Sequence, residues 1–369
     1  MKRLGQIWGK ICSFENLWIA YRKARLGKTL RPSVALFSMN VEKELMVLQR
    51  ELRDGSYQPG EYRLFTIYER KPRAIAAAPF RDRVVHHAIM NLLEPTLDRS
   101  FINDSYACRK GKGVHRAVDR FQRWAQRYTY VLKLDVEQYF SSIDHPILKE
   151  KLHRKIKDRS SLALLEKIID ASPQNPKRPL DFFRGDDLLT PLGRGVGIPI
   201  GNLTSQFFAN LFLDDLDHFI KQELRVKGYL RYVDDMVLLA DSKTELAEYR
   251  EIIREKLEDL RLRVHPRKAH ISRAVDGLNL FGYLVYRDYR RLRNDNGYRF
   301  ARKLRGFAKA YEVWEVDWDT LNSSVQSWIG HAKHADIWGL RTAIFSDIVF
   351  RRGPDPQTNP RAAWRLLEQ

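Results

Sequence analysis

Hydrophobic residues recur along the chain with two different periods, and each period predicts one kind of element. Apolar residues follow helical spacing through residues 40–57, a stretch that ends near the turn signal Asp54-Gly55. Residues 61–78 alternate between polar and apolar, which predicts two extended strands joined by a hairpin-like break. Residues 129–136 (TYVLKLDV) are rich in strand formers and predict a short strand.

The second half of the chain repeats this mixture of patterns. Helices are predicted at residues 80–98, where Pro95 and its neighbours close the helix, and at residues 202–224 and 244–262. Residues 229–241 (YLRYVDDMVLLAD) predict strand, turn and strand, and further short strands are expected before residue 287. Residues 172–197 contain four prolines and four glycines, so they predict a long loop with little regular structure.

Together these elements predict an α+β fold with an antiparallel sheet in the middle of the chain. The chain has 369 residues, enough for two or three packed lobes with a sizeable core. We find no internal repeat.

The charge balance points to a polyanionic partner. The chain has 65 Lys and Arg against 46 Asp and Glu, a formal net charge of +19 and a pI near 9.8. Nucleic acid is the first candidate and an anionic membrane surface the second. No segment combines a basic face with a strongly apolar one, as a helix lying on a membrane would. A basic surplus spread evenly for solubility remains the alternative.

Cysteine content and the N-terminal sequence predict an intracellular protein. The two cysteines, Cys12 and Cys108, are too few for a disulfide framework or a multi-cysteine zinc site. The first residues hold no apolar core long enough for a signal peptide, and no stretch approaches the roughly 20 apolar residues of a membrane helix. We therefore expect a cytoplasmic protein with no membrane partner.

Two adjacent carboxylates stand out in the sequence RYVDDMVLLA. Asp234 and Asp235 lie between strand-forming apolar runs, where two negative charges cost free energy unless a positive group lies against them. Asp135 ends the strand VLKLD and could reach the same sheet edge. Divalent cations would relieve the repulsion, and two Mg²⁺ ions about 3.5–4 Å apart could clamp a phosphoryl transfer. For an isolated Asp-Asp pair, an exposed hairpin tip is the commoner explanation.

Several motifs in one order resemble those of reverse transcriptases. YVDD resembles the Tyr-x-Asp-Asp box, VLKLDVEQYFSSIDH the first aspartate motif, and GIPIGNLTSQFFANLFLDDLDHFI the template-and-dNTP helix of that family. The resemblance continues through KPRAIAAAPFRDRVVHHAI, YACRKGKGVHRAV, LRVHPRKAHIS and LNLFGYLVY, and more weakly through SWIGHAKHAD. It covers roughly residues 60–290.

The resemblance implies a right-hand polymerase that copies RNA into DNA. The implied regions are an N-terminal helical extension (1–60), fingers (61–130), the first part of the palm (131–145), a fingers insertion or loop (146–195), the second part of the palm (196–286), and a thumb with a C-terminal tail (287–369). The implied partners are template RNA, a primer, the RNA–DNA hybrid and dNTPs.

The resemblance also assigns the catalytic machinery. It implies two Mg²⁺ ions, for which Mn²⁺ can substitute, held by Asp135, Asp234, Asp235 and the backbone carbonyl of Val136. Asp234 is expected to be a more direct ligand than Asp235. Lys268, in HPRKAH, matches a lysine that protonates the leaving pyrophosphate.

Further positions match residues that contact the substrates in that family. The residues implied for dNTP binding are Lys71, Arg73, Phe140, Ile200 and Gln206. The aromatic ring of Phe140 would collide with a 2′-hydroxyl and so favour deoxynucleotides. The residues implied for template or primer binding are Arg81, Arg83, Arg109, Tyr232 and Gly282. Each basic residue taken singly is more often a solvated surface group.

The segment IGNLTSQ (200–206) resembles the enzymes of diversity-generating retroelements, which copy a template repeat with errors at adenines. Group II intron and retron-like enzymes commonly have Gln-Gly and Ser-Pro where this chain has Ile200-Gly201 and Ser205-Gln206. That resemblance implies a small basic accessory protein. Residues 172–197 and the C-terminal tail leave room for a phage-defence enzyme with a dedicated noncoding RNA.

Two other classes of protein fit the sequence less well. A nucleic-acid-binding scaffold with a dead active site would be expected to lack one of the carboxylates, and Asp135, Asp234 and Asp235 are all present. An RNA-dependent RNA polymerase is disfavoured by Phe140 and by the Tyr-x-Asp-Asp context.

Overall fold

The computed structural model describes residues 3–68, 72–173 and 181–354. Their contacts divide the chain into two compact units, one of residues 1–113 with 132–271 and one of residues 114–131 with 272–369. Within the described residues, no helix is both long enough and apolar enough to cross a membrane.

Helices build the N-terminal part of the first unit. They are α1 (Trp8–Ile11), α2 (Phe14–Arg25), α3 (Pro32–Met39), α4 (Val41–Asp54) and α5 (Phe80–Leu97). Helix α2 begins where the Ser13 hydroxyl accepts a hydrogen bond from the Asn16 backbone, and it packs against α5. Phe80 of α5 meets the rings of Tyr21 and Phe37 edge-on, at centroid distances of 6.2 and 5.2 Å.

A two-stranded antiparallel hairpin, β1 (Arg63–Tyr68) and β2 (Pro72–Ala77), separates α4 from α5. All of β1 is exposed, whereas Ala76 of β2 is buried. The Ala76 backbone N–H donates to the Ile200 carbonyl at 3.3 Å. The hairpin is thereby joined to the loop that precedes α11 (Leu203–Phe212).

The central sheet has the strand order β4–β5–β3–β6, where the strands are β3 (Tyr130–Asp135), β4 (Gly228–Tyr232), β5 (Asp235–Ala240) and β6 (His270–Arg273). The boundary between the two units falls within β3 and β6. Strands β4 and β5 are almost entirely buried and pair antiparallel, with Leu230 opposite Val237. Their apolar side chains fix the register, because a slip by one residue would reverse every side chain.

The other helices of the first unit are α7 (Tyr139–Ser142), α8 (His145–Lys155), α9 (Arg159–Asp170), α10 (Thr190–Gly193), α11, α12 (Asp214–His218) and α13 (Lys243–Asp259), of which α13 contacts β5. The second unit contains α6 (Val114–Ala125), a sheet of β7 (Leu278–Leu280), β8 (Tyr283–Val285) and β9 (Arg290–Leu292), and then α14 (Asn294–Glu312), α15 (Trp318–Ala332) and α16 (Trp338–Ser346). Phe300 and Trp328 stack at 4.2 Å between α14 and α15.

The predicted fold class, α+β with antiparallel sheets, is confirmed. Three details differ from the sequence prediction. The helix expected over residues 202–224 is broken into α11, α12 and a π-helical turn at Phe219–Glu223. Helix α5 continues through Pro95 to Leu97. Helix α10 interrupts the described part of the loop predicted over residues 172–197. The predicted boundaries of fingers, palm and thumb stay predictions.

Gly197 offers a test of the packing beside the central sheet. Its φ is +89°, and a Cβ there would lie 3.2 Å from the Ser141 carbonyl oxygen. Gly55 also has positive φ, +78°, but a Cβ there would meet nothing within 4 Å. We expect G55A to cost about 1–2 kcal/mol from backbone strain alone. G197A should cost more, because Ser141 must also move. Urea unfolding of both variants measures this, and equal losses would contradict it.

Candidate active site

A tight turn carries the paired carboxylates. Tyr232 at the end of β4 pairs with Asp235 at the start of β5, so only Val233 and Asp234 form the turn. Val233 has φ of +56°, an unfavourable value for a β-branched residue at a position where such turns favour glycine or asparagine. The turn is therefore strained, and surrounding contacts must hold it.

Asp135 reaches this turn from the neighbouring strand. It is the last residue of β3, and β3 is adjacent to β5 in the sheet. The Val136 backbone N–H donates to the Asp234 carbonyl at 3.3 Å. On the other side, the His265 N–H donates to the Asp135 carbonyl at 2.8 Å. These bonds fix the ends of both carboxylate-bearing segments relative to each other.

The surroundings of the turn disfavour ionisation of Asp234 and Asp235. Burial, together with the neighbouring charges of Asp235 and Asp135, raises the pKa of Asp234 to about 6. Burial also raises the pKa of Asp235, although Lys133 opposes the shift. The charge of Asp135 contributes to both pKa shifts, so the three carboxylates that were predicted to meet lie close to one another.

Two lysines neutralise part of this charge. Lys268 Nζ lies 2.7 Å from each carboxylate oxygen of Asp135, and Lys133 Nζ lies 3.0 Å from Asp235 Oδ1. The sequence reasoning selected Lys268 but missed Lys133. Side chains two apart in a strand point to the same face, so Lys133 could have been inferred from its position two residues before Asp135.

The donor atoms fit a hard divalent cation. Among the described residues, no group of three or more His, Cys, Asp or Glu side chains is already arranged to hold a metal ion. Asp135, Asp234 and Asp235 nevertheless supply the carboxylate oxygens that Mg²⁺ prefers, and a cation would offset the repulsion that raises the pKa values. At present the Lys268 ammonium group neutralises Asp135.

Comparison with known families identifies the chain. Residues 66–285, more than half of the sequence, match the family model described as "Reverse transcriptase (RNA-dependent DNA polymerase)". The chain belongs to the reverse transcriptase family. The predicted identity as an RNA-directed DNA polymerase is thereby confirmed, and the match contains the three aspartates and Lys268.

Individual relatives of this reverse transcriptase are distant. Protein YkfC of Escherichia coli is 26% identical over 284 residues, which cover 66% of this chain and 71% of YkfC. The group II intron-encoded protein LtrA of Lactococcus lactis is 25% identical over 184 residues, which are 49% of this chain and only 29% of LtrA. A truncated apo telomerase from Candida tropicalis is a similar solved structure, with a TM-score of 0.47 and 12% identity, covering 63% of this chain and 55% of that one.

The described residues predicted to bind dNTPs lie on β2, on α7, on α11 and in the loop before α11. Arg73 lies on β2 and is exposed, while Lys71 lies outside the described residues. Phe140 is half-buried on α7, and its carbonyl accepts a hydrogen bond from the Ile198 N–H at 2.8 Å. Ile200 is 36% exposed beside β2, and Gln206 is exposed on α11. Their roles stay predictions.

The residues predicted to bind template or primer are in more varied surroundings. Arg81 pairs with Glu51 and lies over the Tyr57 ring. Arg109 is almost fully buried, and its guanidinium donates to Asp98 and to backbone carbonyls. These contacts give both arginines a structural role within the protein.

The remaining template or primer residues of the reverse transcriptase are less enclosed. Arg83 is half-buried, with its Nε 2.9 Å from the Ala78 carbonyl. Tyr232 is half-buried next to the turn, and burial raises the pKa of its hydroxyl. Gly282 belongs to the second unit, where its carbonyl accepts a hydrogen bond from the Arg293 N–H.

The raised pKa of Asp234 predicts a pH-dependent stability. The folded-state value of about 6 exceeds the ordinary 3.8, so ionisation penalises the folded state, and stability is lost as pH rises from about 4 through 6. D234N should therefore be more stable than the wild type at pH 7.5, by about 1–2 kcal/mol once partial exposure is discounted, and equally stable near pH 4.

Urea unfolding in EDTA at both pH values measures this difference. D259N, at the exposed end of α13, is the matched control and should show no pH-dependent gain. Adding Mg²⁺ should stabilise the wild type more than D234N. Equal stabilities of D234N and the wild type at pH 7.5 would contradict the assignment.

Proposed function

We propose that this reverse transcriptase copies an RNA template by metal-dependent nucleotidyl transfer at Asp135, Asp234 and Asp235. The observation that carries the proposal is the meeting of these carboxylates at one sheet edge, with Lys268 against Asp135. Two Mg²⁺ ions, or Mn²⁺ in their place, would supply activation of the primer hydroxyl and neutralisation of the triphosphate when bound.

Individual residues of the chain would carry out the other parts of the nucleotidyl transfer. The primer 3′-hydroxyl loses its proton to solvent water, its oxygen attacks the α-phosphorus of the dNTP, and the bond from that phosphorus to the pyrophosphate oxygen breaks. Asp135 and Asp234 would hold the cations, with the Val136 carbonyl and Asp235 as additional ligands. Lys268 then gives a proton to the leaving pyrophosphate. It is suited to this role because its ammonium group is already in the site, although it must leave Asp135 to do so.

Recognition of the dNTP would come from the hairpin and α7. Arg73 on β2, together with Lys71, would bind the triphosphate through charge and hydrogen bonds. The ring of Phe140 would exclude a 2′-hydroxyl, so the product would be DNA. The hydrogen bond between Ala76 and Ile200 supports a common dNTP pocket, since it joins the hairpin to the loop before α11.

For the biological role, we propose the error-prone enzyme of a diversity-generating retroelement. The support is the sequence IGNLTSQ, in which Ile200 stands where related enzymes commonly have glutamine. In this role Ile200 would lie next to the nascent base pair. This role would require a small basic accessory protein. The Pro- and Gly-rich segment 172–197 and the C-terminal tail leave room for the alternative, a phage-defence enzyme working with a dedicated noncoding RNA.

Replacing Asp234 tests the catalytic assignment. D234N should lower Mg²⁺-dependent dNTP incorporation on a primed RNA template to below about a thousandth of the wild-type rate, because a direct metal ligand is lost. RNA affinity, measured by filter binding, should stay within about twofold, because template binding rests on basic residues. D259N is the matched control and should retain full activity. Retained incorporation by D234N would refute the metal assignment.

Sequencing of the cDNA tests the retroelement role. On a template of mixed composition, errors should be enriched severalfold at template adenines. I200Q restores the amide common in related enzymes and should reduce that enrichment, since polar contacts to the base pair return. Errors spread evenly over the four template bases would contradict the retroelement role and leave the polymerase assignment intact.

A further inference from the structure

Arg231 is completely buried three residues before Asp234. Its guanidinium uses all three nitrogens. Nε lies 2.8 and 2.9 Å from the two oxygens of Asp217, and Nη2 lies 2.7 Å from Asp217 Oδ2. Nη1 donates to the Val233 carbonyl at 3.0 Å, and Nη2 donates to the Asn210 carbonyl at 3.2 Å.

Asp217 balances the charge of Arg231. Asp217 is also fully buried, lies on α12, and accepts a further hydrogen bond from the Tyr229 hydroxyl at 2.6 Å. A buried pair of this kind gains little net stability over well-packed apolar residues, because both charges must be removed from water. Its presence behind the turn therefore calls for an explanation other than stability.

The contact with Val233 supplies that explanation. The Val233 carbonyl belongs to the peptide group that joins Val233 to Asp234, and Val233 is the strained residue of the turn. A strained backbone persists only where several contacts hold it. Arg231 holds the turn on the Val233 side, while the Val136 N–H holds it at the Asp234 carbonyl.

Arg231 also connects the turn to two neighbouring segments. Through Asn210 it reaches α11, the helix that carries Gln206. Its backbone N–H donates to the Asp104 carbonyl, and its carbonyl accepts from the Tyr106 N–H, both at 2.9 Å. A single buried side chain thus joins the carboxylate turn to the helix predicted to contact template and dNTP.

We propose that Arg231 is a positioning residue, which fixes the Val233–Asp234 peptide group so that the Asp234 carboxylate is directed for cation binding. This inference rests on the proposed function for the role of Asp234. In the metal-free protein, the turn is expected to be rigid because Arg231 binds the Val233 carbonyl.

The test replaces the buried polar group by apolar residues of similar size. The triple variant R231M/D217L/Y229F removes the pair together with the hydroxyl that depends on it, and such replacements commonly preserve folding. Y229F alone is the matched control, because it alters the same network and leaves the Arg231–Val233 contact in place. R231K retains the charge but cannot reproduce the planar set of donors.

Two measurements separate positioning from a merely structural role. In metal-free buffer, hydrogen exchange of residues 232–236 should be about tenfold faster in the triple variant than in Y229F, whereas exchange within α13 stays unchanged. The Mg²⁺ concentration for half-maximal incorporation should rise about tenfold at an unchanged KM for RNA. R231K should fall between Y229F and the triple variant in both measurements.

The outcomes distinguish this inference from the proposed function. A folded triple variant with wild-type exchange and wild-type Mg²⁺ dependence would overturn the role of Arg231. If the triple variant fails to fold, R231K serves as the test instead. Hydrogen exchange of residues 232–236 in R231K at the wild-type rate would then overturn the inference. If the wild type itself lacks Mg²⁺-dependent incorporation, the proposed function fails, while the exchange data still report on the turn.

Discussion

Repulsion among three carboxylates at one sheet edge is the constraint on which the rest of the site depends. Burial raises the cost of ionising Asp234 and Asp235, and the negative charge of Asp135 adds to that cost for both. Such an arrangement is stable only if the backbone cannot relax and separate the charges. The buried strands β4 and β5, with the turn bonded to Val136, prevent this relaxation. Lys133 and Lys268 neutralise part of the negative charge of the carboxylates. The charge that remains suits a site that is proposed to bind and release cations.

The strain in the turn follows from the same constraint. A two-residue turn that tolerates Val233 at positive φ places Asp234 at the tip and Asp235 at the first position of β5. A wider loop would separate the carboxylates and let them move independently. The backbone strain is confined to Val233, whereas the contacts that offset it extend to α11, α12 and the segment around Asp104. Rigidity at the tip thus comes from the interior of the first unit and does not depend on the carboxylates themselves.

Local patterns predicted the elements well, because their signals are confined to neighbouring residues. Helix α4 ends at Asp54 as the Asp54-Gly55 signal requires, with Gly55 in the left-handed conformation. The break between α11 and α12 and the continuation of α5 through Pro95 depend on packing, which periodicity does not report. Likewise, the motifs located Asp135, Asp234 and Lys268, whereas the environment of Arg231 depends on Asp217 and Asn210, whose proximity only the fold reveals. Sequence reasoning treated Arg231 as one more strand residue.

The distribution of arginines limits what the net charge of +19 can say about nucleic acid. Arg109 and Arg231 donate their hydrogen bonds to groups inside the first unit. Arg194 and Arg261 both pair with the buried Asp144. In the second unit, Arg293 and Arg299 share Asp295. A guanidinium already bonded on several sides would have to give up those contacts before it could bind a phosphate. Basic residues are therefore informative about phosphate binding only when their exposure is known. The exposed Arg73 is on this ground a stronger candidate for binding a phosphate than the buried Arg109.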